Sequence, residues 1–308
     1  MKVVVTGATG FLGRALVRTL LDAGHSVTAT ACRSLPSSDN QFLTWRWLDL
    51  GQPDAGWSDL LAEADVIYHL AWSTIPSEAD RAPADDARVN IVGSLRLLQA
   101  MRSKAGAPRV VFASSGGTVY GILSRVPACE DHPLRPISAY GVSKLAVELY
   151  LATIRGETGP SAVSLRMGNL YGPGQGLHRV FGAVTHFAHR ALAGEPVRIF
   201  GDGSVTRDYL YIDDAVDALM RAGAHAEQGN FNIGTGIGHS LNQVTGIITA
   251  DLGRDLTVER LNARPFDVPV SILDASRARE TFGWQPRVTF EEGIRRTLRH
   301  MQASGPAR

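Results

Sequence analysis

Lys2 to Thr6 (KVVVT) is a run of β-branched residues, as in a strand buried on both faces. Gly7 to Gly13 follows as a glycine-rich turn. From Arg14 to Ala23, the apolar residues Ala15, Leu16, Leu20 and Leu21 recur at helical spacing, and Gly24 is placed to stop the helix. Ser26–Thr30 reads as a second strand and Leu43–Leu48 as a strand-like stretch. The alternation continues with a strand at Asp65–Leu70, a helix at Val89–Lys104, a strand at Arg109–Ser114, a helix at Tyr140–Arg155 and a strand at Ala162–Met167. Strands alternating with helices predict an α/β fold, a doubly wound parallel sheet covered on both faces.

The second half has a different rhythm. A turn-rich loop (Gly172–Gly176) precedes a helix at Val180–Ala193, a strand at Pro196–Phe200, a helix at Asp213–Ala224 and a strand at Phe231–Ile233. After about residue 236 the elements are expected to be short, ending in a helix at Phe290–Met301, with Ser304–Arg308 frayed. This predicts a smaller mixed α/β lobe built from more than one segment.

Composition narrows the function classes. The 308 residues carry 44% hydrophobic and 20% charged side chains, enough apolar content for a substantial core. Lys and Arg exceed Asp and Glu by a single charge, which argues against nucleic acid or an anionic membrane as partner. Cys32 and Cys129 form no CxxC pair and no metal-ligand spacing, so no metal is expected and a reducing, cytoplasmic setting is. No apolar run approaches a membrane span, and glycines interrupt the apolar N-terminus too early for a signal peptide.

Three features carry chemistry. Gly7, Gly10 and Gly13 form GxxGxxG between a strand and a helix, where glycines permit a tight turn and close approach of backbone to a pyrophosphate at the helix N-terminus. A tight βα turn without a ligand is the plainer alternative. The second strand ends at Ala31 without the acid that usually holds an adenosine ribose. Arg33 follows, placed either to meet a 2′-phosphate or adenine or to stand in solvent. Asp49 and Leu50 end the next strand-like stretch, within reach of the adenine. Tyr140 and Lys144 are four apart on one helical face, with Ser114 and Ser115 at the preceding strand end. A tyrosine, ordinarily titrating near 10, becomes a base near neutrality when a lysine ammonium and a nicotinamide cation lower its pKa by about three units, roughly 4 kcal/mol.

These features, with TGATGFLG, ADVIYHLA, ARVNIVGSLRLLQAM, FASSGGTVYG, SAYGVSK, GDGSVTRDYLYIDDAVDA, FNIGTG and FGWQPRVTFEEGI in that order, resemble the extended short-chain dehydrogenase/reductase superfamily. Within it the nucleotide-sugar epimerase/dehydratase branch is the match, UDP-glucose 4-epimerase-like, over nearly the whole chain. The resemblance implies a Rossmann-type dinucleotide-binding domain at 1–168 plus about 206–235. A substrate-binding lobe would comprise 169–205 and 236–308.

The resemblance assigns catalysis to Tyr140 and Lys144, with Ser115. It places the cofactor on Gly7, Gly10, Phe11, Leu12, Gly13, Leu70, Ala71, Trp72, Asn90 and Ser114, beside the catalytic pair and the adenine-end residues named above. Asn169, Arg207, Arg264 and Asp267 match positions at the diphosphate and ribose of a sugar nucleotide, with Thr118 nearer the sugar. Ser271 falls where epimerases often carry a larger residue, leaving room for an N-acetyl group.

Three departures stand out. Gly116 occupies the slot of the family's catalytic Ser or Thr, so Ser115, Thr118 or a water must contact the sugar hydroxyl. Ala31 replaces the ribose acid. Gly117 and Thr118 replace the Asp-Glu of the dehydratases, which removes the acid and base for loss of water. The implied activity is C4 epimerisation of a UDP-hexose through a transient 4-keto sugar. NAD is the expected cofactor, with NADP left open. An NAD(P)H-dependent reductase and a non-catalytic NAD(P) sensor are the alternatives. A homodimer through helices 89–104 and 140–155 is implied as well.

Overall fold

The computed structural model describes the chain except residues 54–55, 63, 103–105, 107, 154–160, 178–181, 265–266 and 305–308. In chain order the first half runs β1 (Lys2–Thr6), α1 (Phe11–Asp22), β2 (Ser26–Ala31), β3 (Leu43–Trp47), α2 (Trp57–Leu61), β4 (Val66–His69), α3 (Pro76–Arg81), α4 (Pro83–Asp86), a π turn (Ala87–Ile91), α5 (Val92–Arg102), β5 (Arg109–Ser115), α6 (Gly116–Val119), α7 (Ala139–Ala152) and β6 (Ala162–Met167). The second half runs β7 (Asn169–Tyr171), α8 (Ala183–Ala193), β8 (Val197–Phe200), β9 (Thr206–Tyr211), α9 (Ile212–Ala224), β10 (Gly229–Ile233), β11 (Gly238–Ser240), α10 (Leu241–Leu252), β12 (Val258–Leu261), β13 (Val270–Ser271), α11 (Ser276–Phe282) and α12 (Phe290–Ser304).

Seven strands form one sheet in the order β10-β6-β5-β4-β1-β2-β3, and every pairing is parallel. Strand order reverses between β1 and β4, so the chain leaves a crevice at their C-terminal ends, where open α/β sheets bind ligands. One face is covered by α1 and α9, whose Leu16, Leu20, Val216 and Leu219 join Val3, Val5 and Phe231 in one core. The other is covered by α2, α5 and α7 through Trp57, Leu97, Met101, Val147 and Leu151. A third core joins α8, α10 and α12 to β8 and β9.

Several boundaries differ from the sequence reading for physical reasons. Helix α1 begins at Phe11, not Arg14, because Gly10 is its N-cap and Gly13 lies inside it. Gly13 is there for closeness: a Cβ would overlap the Gly7 carbonyl oxygen and stand 2.8 Å from Ala8 Cα. Helix α10 has 12 residues, so the elements after residue 236 are not all short. Its capping box, Ser240 with Gln243, was a legible start signal. Thr206–Tyr211, grouped above with the dinucleotide unit, pairs instead with β7, β11 and β13 in a second sheet. The expected helix 89–104 is a π turn continued by α5. Ser304 is helical rather than frayed. The expected helix ends at 103–104, 154–155 and 180–181, and the tail 305–308, lie outside the described residues.

Candidate active site

A cavity of about 450 Å³ starts at the crevice between β1 and β4 and reaches the second sheet. It is lined by Gly7, Gly10, Phe11, Leu12 and Gly13 from the first turn, Leu70 and Trp72 after β4, and Ser114, Ser115 and Thr118 around the end of β5. Tyr140 and Lys144 of α7 form part of its wall, and Asn169, Arg207, Arg264 and Asp267 close the far end. Five expected site residues do not line it. Ala31, buried at the end of β2, leads to an exposed Arg33. The Asp49 carboxylate accepts the Gly51 N–H at 2.9 Å. Leu50 is buried under α5, 2.8 Å from where a Cβ on Gly93 would stand. The Ala71 N–H donates to Thr6 Oγ1 at 3.0 Å. Asn90 is fully buried and clamps the loop after β4, its Oδ1 accepting the Ser73 N–H at 2.9 Å and its amide donating to Asp86 at 2.8 Å.

The glycine turn fits a dinucleotide. Gly7 has φ +67°, and a Cβ there would lie 2.8 Å from the Ala71 backbone, so the β1 and β4 loops touch at the switch point only because residue 7 is glycine. No side chain caps α1 at Gly10, which leaves the first N–H groups and the positive end of the helix to the cavity. Trp72 Nε1, Thr118 Oγ1 and the Tyr209 hydroxyl are enclosed without a hydrogen-bond partner among the described residues, and all three residues line the cavity. Buried polar groups rarely stay unpaired, and a bound ligand is one source of partners.

Helix α7 delivers the tyrosine and lysine. Its N-cap Ser138 accepts the Gly141 N–H at 3.2 Å, and Asp80 accepts the Ala139 N–H at 2.7 Å, which fixes the first turn carrying Tyr140. Lys144 is 4% exposed. Its Nζ donates to the Ala113 carbonyl at 2.8 Å and lies 3.6 Å from the centre of the Trp72 ring. Burial pushes the Lys144 ammonium down to about 7, opposed by the Glu148 and Asp86 carboxylates. The same lysine adds to the burial that holds His69 neutral, down to about 3.

Beneath the pair lies a polar network that sequence reading missed. Glu148 accepts from Ser114 Oγ and pairs with Arg166 at 2.7 Å, both side chains being 1% exposed. Arg166 also donates to the Tyr120 hydroxyl at 3.0 Å, which donates to Asn232 at 2.7 Å. Asp86, fully buried, accepts from Thr74, Asn90 and Ser143. One signal was available: Glu148 lies four residues beyond Lys144 and eight beyond Tyr140, on the same helical face. Ser114 is thereby tied to α7 as well as lining the cavity.

At the far end Asp267 stands between two guanidinium groups, 3.1 Å from Arg264 Nε and 3.9 Å from Arg207 Nη2. Arg207 also donates to the Val268 carbonyl at 2.6 Å. Burial pushes its pKa down, and Asp267 opposes this. Tyr209 lies two residues along the same strand face, the spacing that would have pointed to it. Ser271 is buried opposite Arg207 in the β13–β9 register. A Cβ on Gly117 would lie 3.3 Å from Asn169 Oδ1 and 3.9 Å from both Ser115 Oγ and Ser271 Oγ. The cavity thus joins a glycine-rich turn at a helix N-terminus, a tyrosine–lysine pair and an arginine-rich end.

Comparison with known proteins follows the same outline. The model of the NAD dependent epimerase/dehydratase family matches residues 3–234. A UDP-glucose 4-epimerase of Mycolicibacterium smegmatis is 40% identical over 307 residues, covering 97% of each chain. The crystal structure of a UDP-glucose 4-epimerase of Thermotoga maritima with UDP-glucose superposes with a TM-score of 0.92 at 34% identity, covering 99% of each chain. That of a Thermus thermophilus UDP-glucose 4-epimerase with NAD gives a TM-score of 0.90 at 34% identity, covering 99% of this chain and 100% of the other.

Proposed function

The chain belongs to the NAD dependent epimerase/dehydratase family, and on that premise we propose that it epimerises a nucleotide sugar at C4, a UDP-hexose, using NAD. The observation that carries this reading is the Tyr140–Lys144 pair, set in one cavity between the uncapped start of α1 and the Arg207–Arg264–Asp267 end. The glycine turn and the α1 N-terminus hold the cofactor's pyrophosphate. The nicotinamide, when bound, supplies a reversible hydride acceptor.

Tyr140 takes the proton of the C4 hydroxyl and returns it after the sugar has turned. Lys144 supplies positive charge beside the phenolate. Ser115 contacts the reacting hydroxyl, since a side chain at position 116 would overlap Leu273, and Thr118 lines the same cavity. Arg207 and Arg264 grip the diphosphate and Asp267 the ribose, so the hexose is held only by its tail and is free to rotate. Ser271 leaves space for an N-acetyl substituent. Gly117 and Thr118 offer no carboxyl for dehydration.

The chain also reads as a homodimer. Val92 on α5 and Val142, Leu149 and Tyr150 on α7 stand exposed, on helices whose opposite faces already fill the core.

The deciding experiment is to incubate the protein with UDP-hexose deuterated at C4, without added NAD(P)H. The expected product is the C4 epimer with deuterium still at C4. Stoichiometric use of external NAD(P)H with a 4-keto sugar would instead make it a reductase. A panel of UDP-hexoses with no turnover would leave the non-catalytic reading. Tyr140→Phe should keep NAD binding by calorimetry and lose at least about 100-fold in turnover. A near wild-type rate would remove Tyr140 from the mechanism.

A further inference from the structure

Trp72 follows β4 by three residues and meets both members of the α7 pair. Its ring lies under Lys144 Nζ at 3.6 Å and makes an edge-to-face contact with Tyr140, with centroids 5.9 Å apart at 68°. Phe112 of β5 backs it at 6.0 Å.

Of the ammonium's three donors, one reaches the Ala113 carbonyl. Lys144 forms no ion pair among the described residues, although Asp86 and Glu148 act on it at longer range. The other titratable groups facing it are His69, which is neutral, and Tyr140. The nearest compensation for a desolvated cation, beyond that carbonyl, is therefore the indole face. Tryptophan is the best of the aromatic side chains for this purpose, and the attraction grows as water is excluded.

We infer that Trp72 is a positioning residue for the catalytic pair: its indole face holds the Lys144 ammonium and its ring braces Tyr140, so one side chain from the β4 loop sets where both reacting groups of α7 stand. The inference rests on Tyr140 and Lys144 being that pair. It assigns Trp72 a task beyond lining the cofactor cavity. The physical consequence is that removing the ring makes the charged form of Lys144 harder to keep.

The chain has only three lysines, Lys2, Lys104 and Lys144. Protein labelled with 13C-lysine therefore shows three Cε signals, with Lys144 identified by its loss in Lys144→Met. In the protein as isolated, Trp72→Leu should lower the titration midpoint of the Lys144 signal by about one pH unit. Trp72→Phe, which keeps an aromatic face, should lower it by less than half as much. A single cooperative thermal transition in each variant reports that it is folded.

In the epimerase assay the Leu variant should lose kcat more than KM. Its alkaline limb should move to lower pH, because Lys144 gives up its proton earlier. A Lys144 midpoint that stays or rises in Trp72→Leu overturns the inference, as does one that moves equally in Phe and Leu. The shifted midpoint with no turnover of any UDP-hexose keeps the hold on Lys144 and overturns the catalytic reading instead.

Discussion

A Cβ added to Gly116 would fall on Leu273 Cδ1 and stand 2.8 Å from Cδ2. Leu273 is fully buried, and its N–H donates to Asp208 at 3.3 Å, so it has little freedom to withdraw. The glycine in the slot of the family Ser or Thr is thus one half of a steric pair with a residue more than 150 positions away. Gly116→Ala should destabilise the protein by about 1–3 kcal/mol, as overpacking does. Leu273→Ala alone should cost about 2–5 kcal/mol through the cavity it leaves. Together they should cost less than the sum, by urea denaturation, because each change makes room for the other. Strict additivity would show that the contact does not limit residue 116. The departure at 116 was plain in the sequence, but its cause was not, because nothing local marks Leu273 as a neighbour.

Helix α7 serves the site with one face and leaves the other open. Gly141, Lys144, Val147, Glu148 and Leu151 are buried, while Val142 and Leu149 are exposed. Glu148 ties this helix, which bears Tyr140 and Lys144, to the Ser115-bearing β5 by a hydrogen bond from Ser114 and to β6 by a buried ion pair with Arg166. Removing one partner leaves the other charge uncompensated, and Glu148→Ala should cost about 3–5 kcal/mol of unfolding free energy in urea. A cost under about 1 kcal/mol would mean that the pair does not hold these elements together. The period of the apolar residues predicted this helix within a few residues, because 3.6-residue spacing is a local signal. It did not reveal the glutamate's partner, which lies on another strand.

Over the whole molecule, the exposed apolar face of α5 and α7 remains without a partner in a single chain. If two copies bury it, Leu149→Glu should convert the dimer to monomer in sedimentation equilibrium without moving the thermal transition of the isolated fold by more than a few degrees. A wild-type protein that sediments as one chain at micromolar concentration would remove the dimer. The parallel sheet, the glycine cradle, the Tyr140–Lys144 face and the lack of dehydratase carboxyls were all readable from residue order. Each depends on neighbours within a turn of helix, a strand or a tight loop, or on motifs held in fixed sequence. The tertiary structure alone decided that β9 joins a second sheet and that Leu273 closes the slot at Gly116. It alone set Asp86 and Glu148 around Lys144 and placed Trp72 under its ammonium. Those are contacts between residues far apart in the chain, chosen by packing and desolvation in three dimensions, and no local period records them.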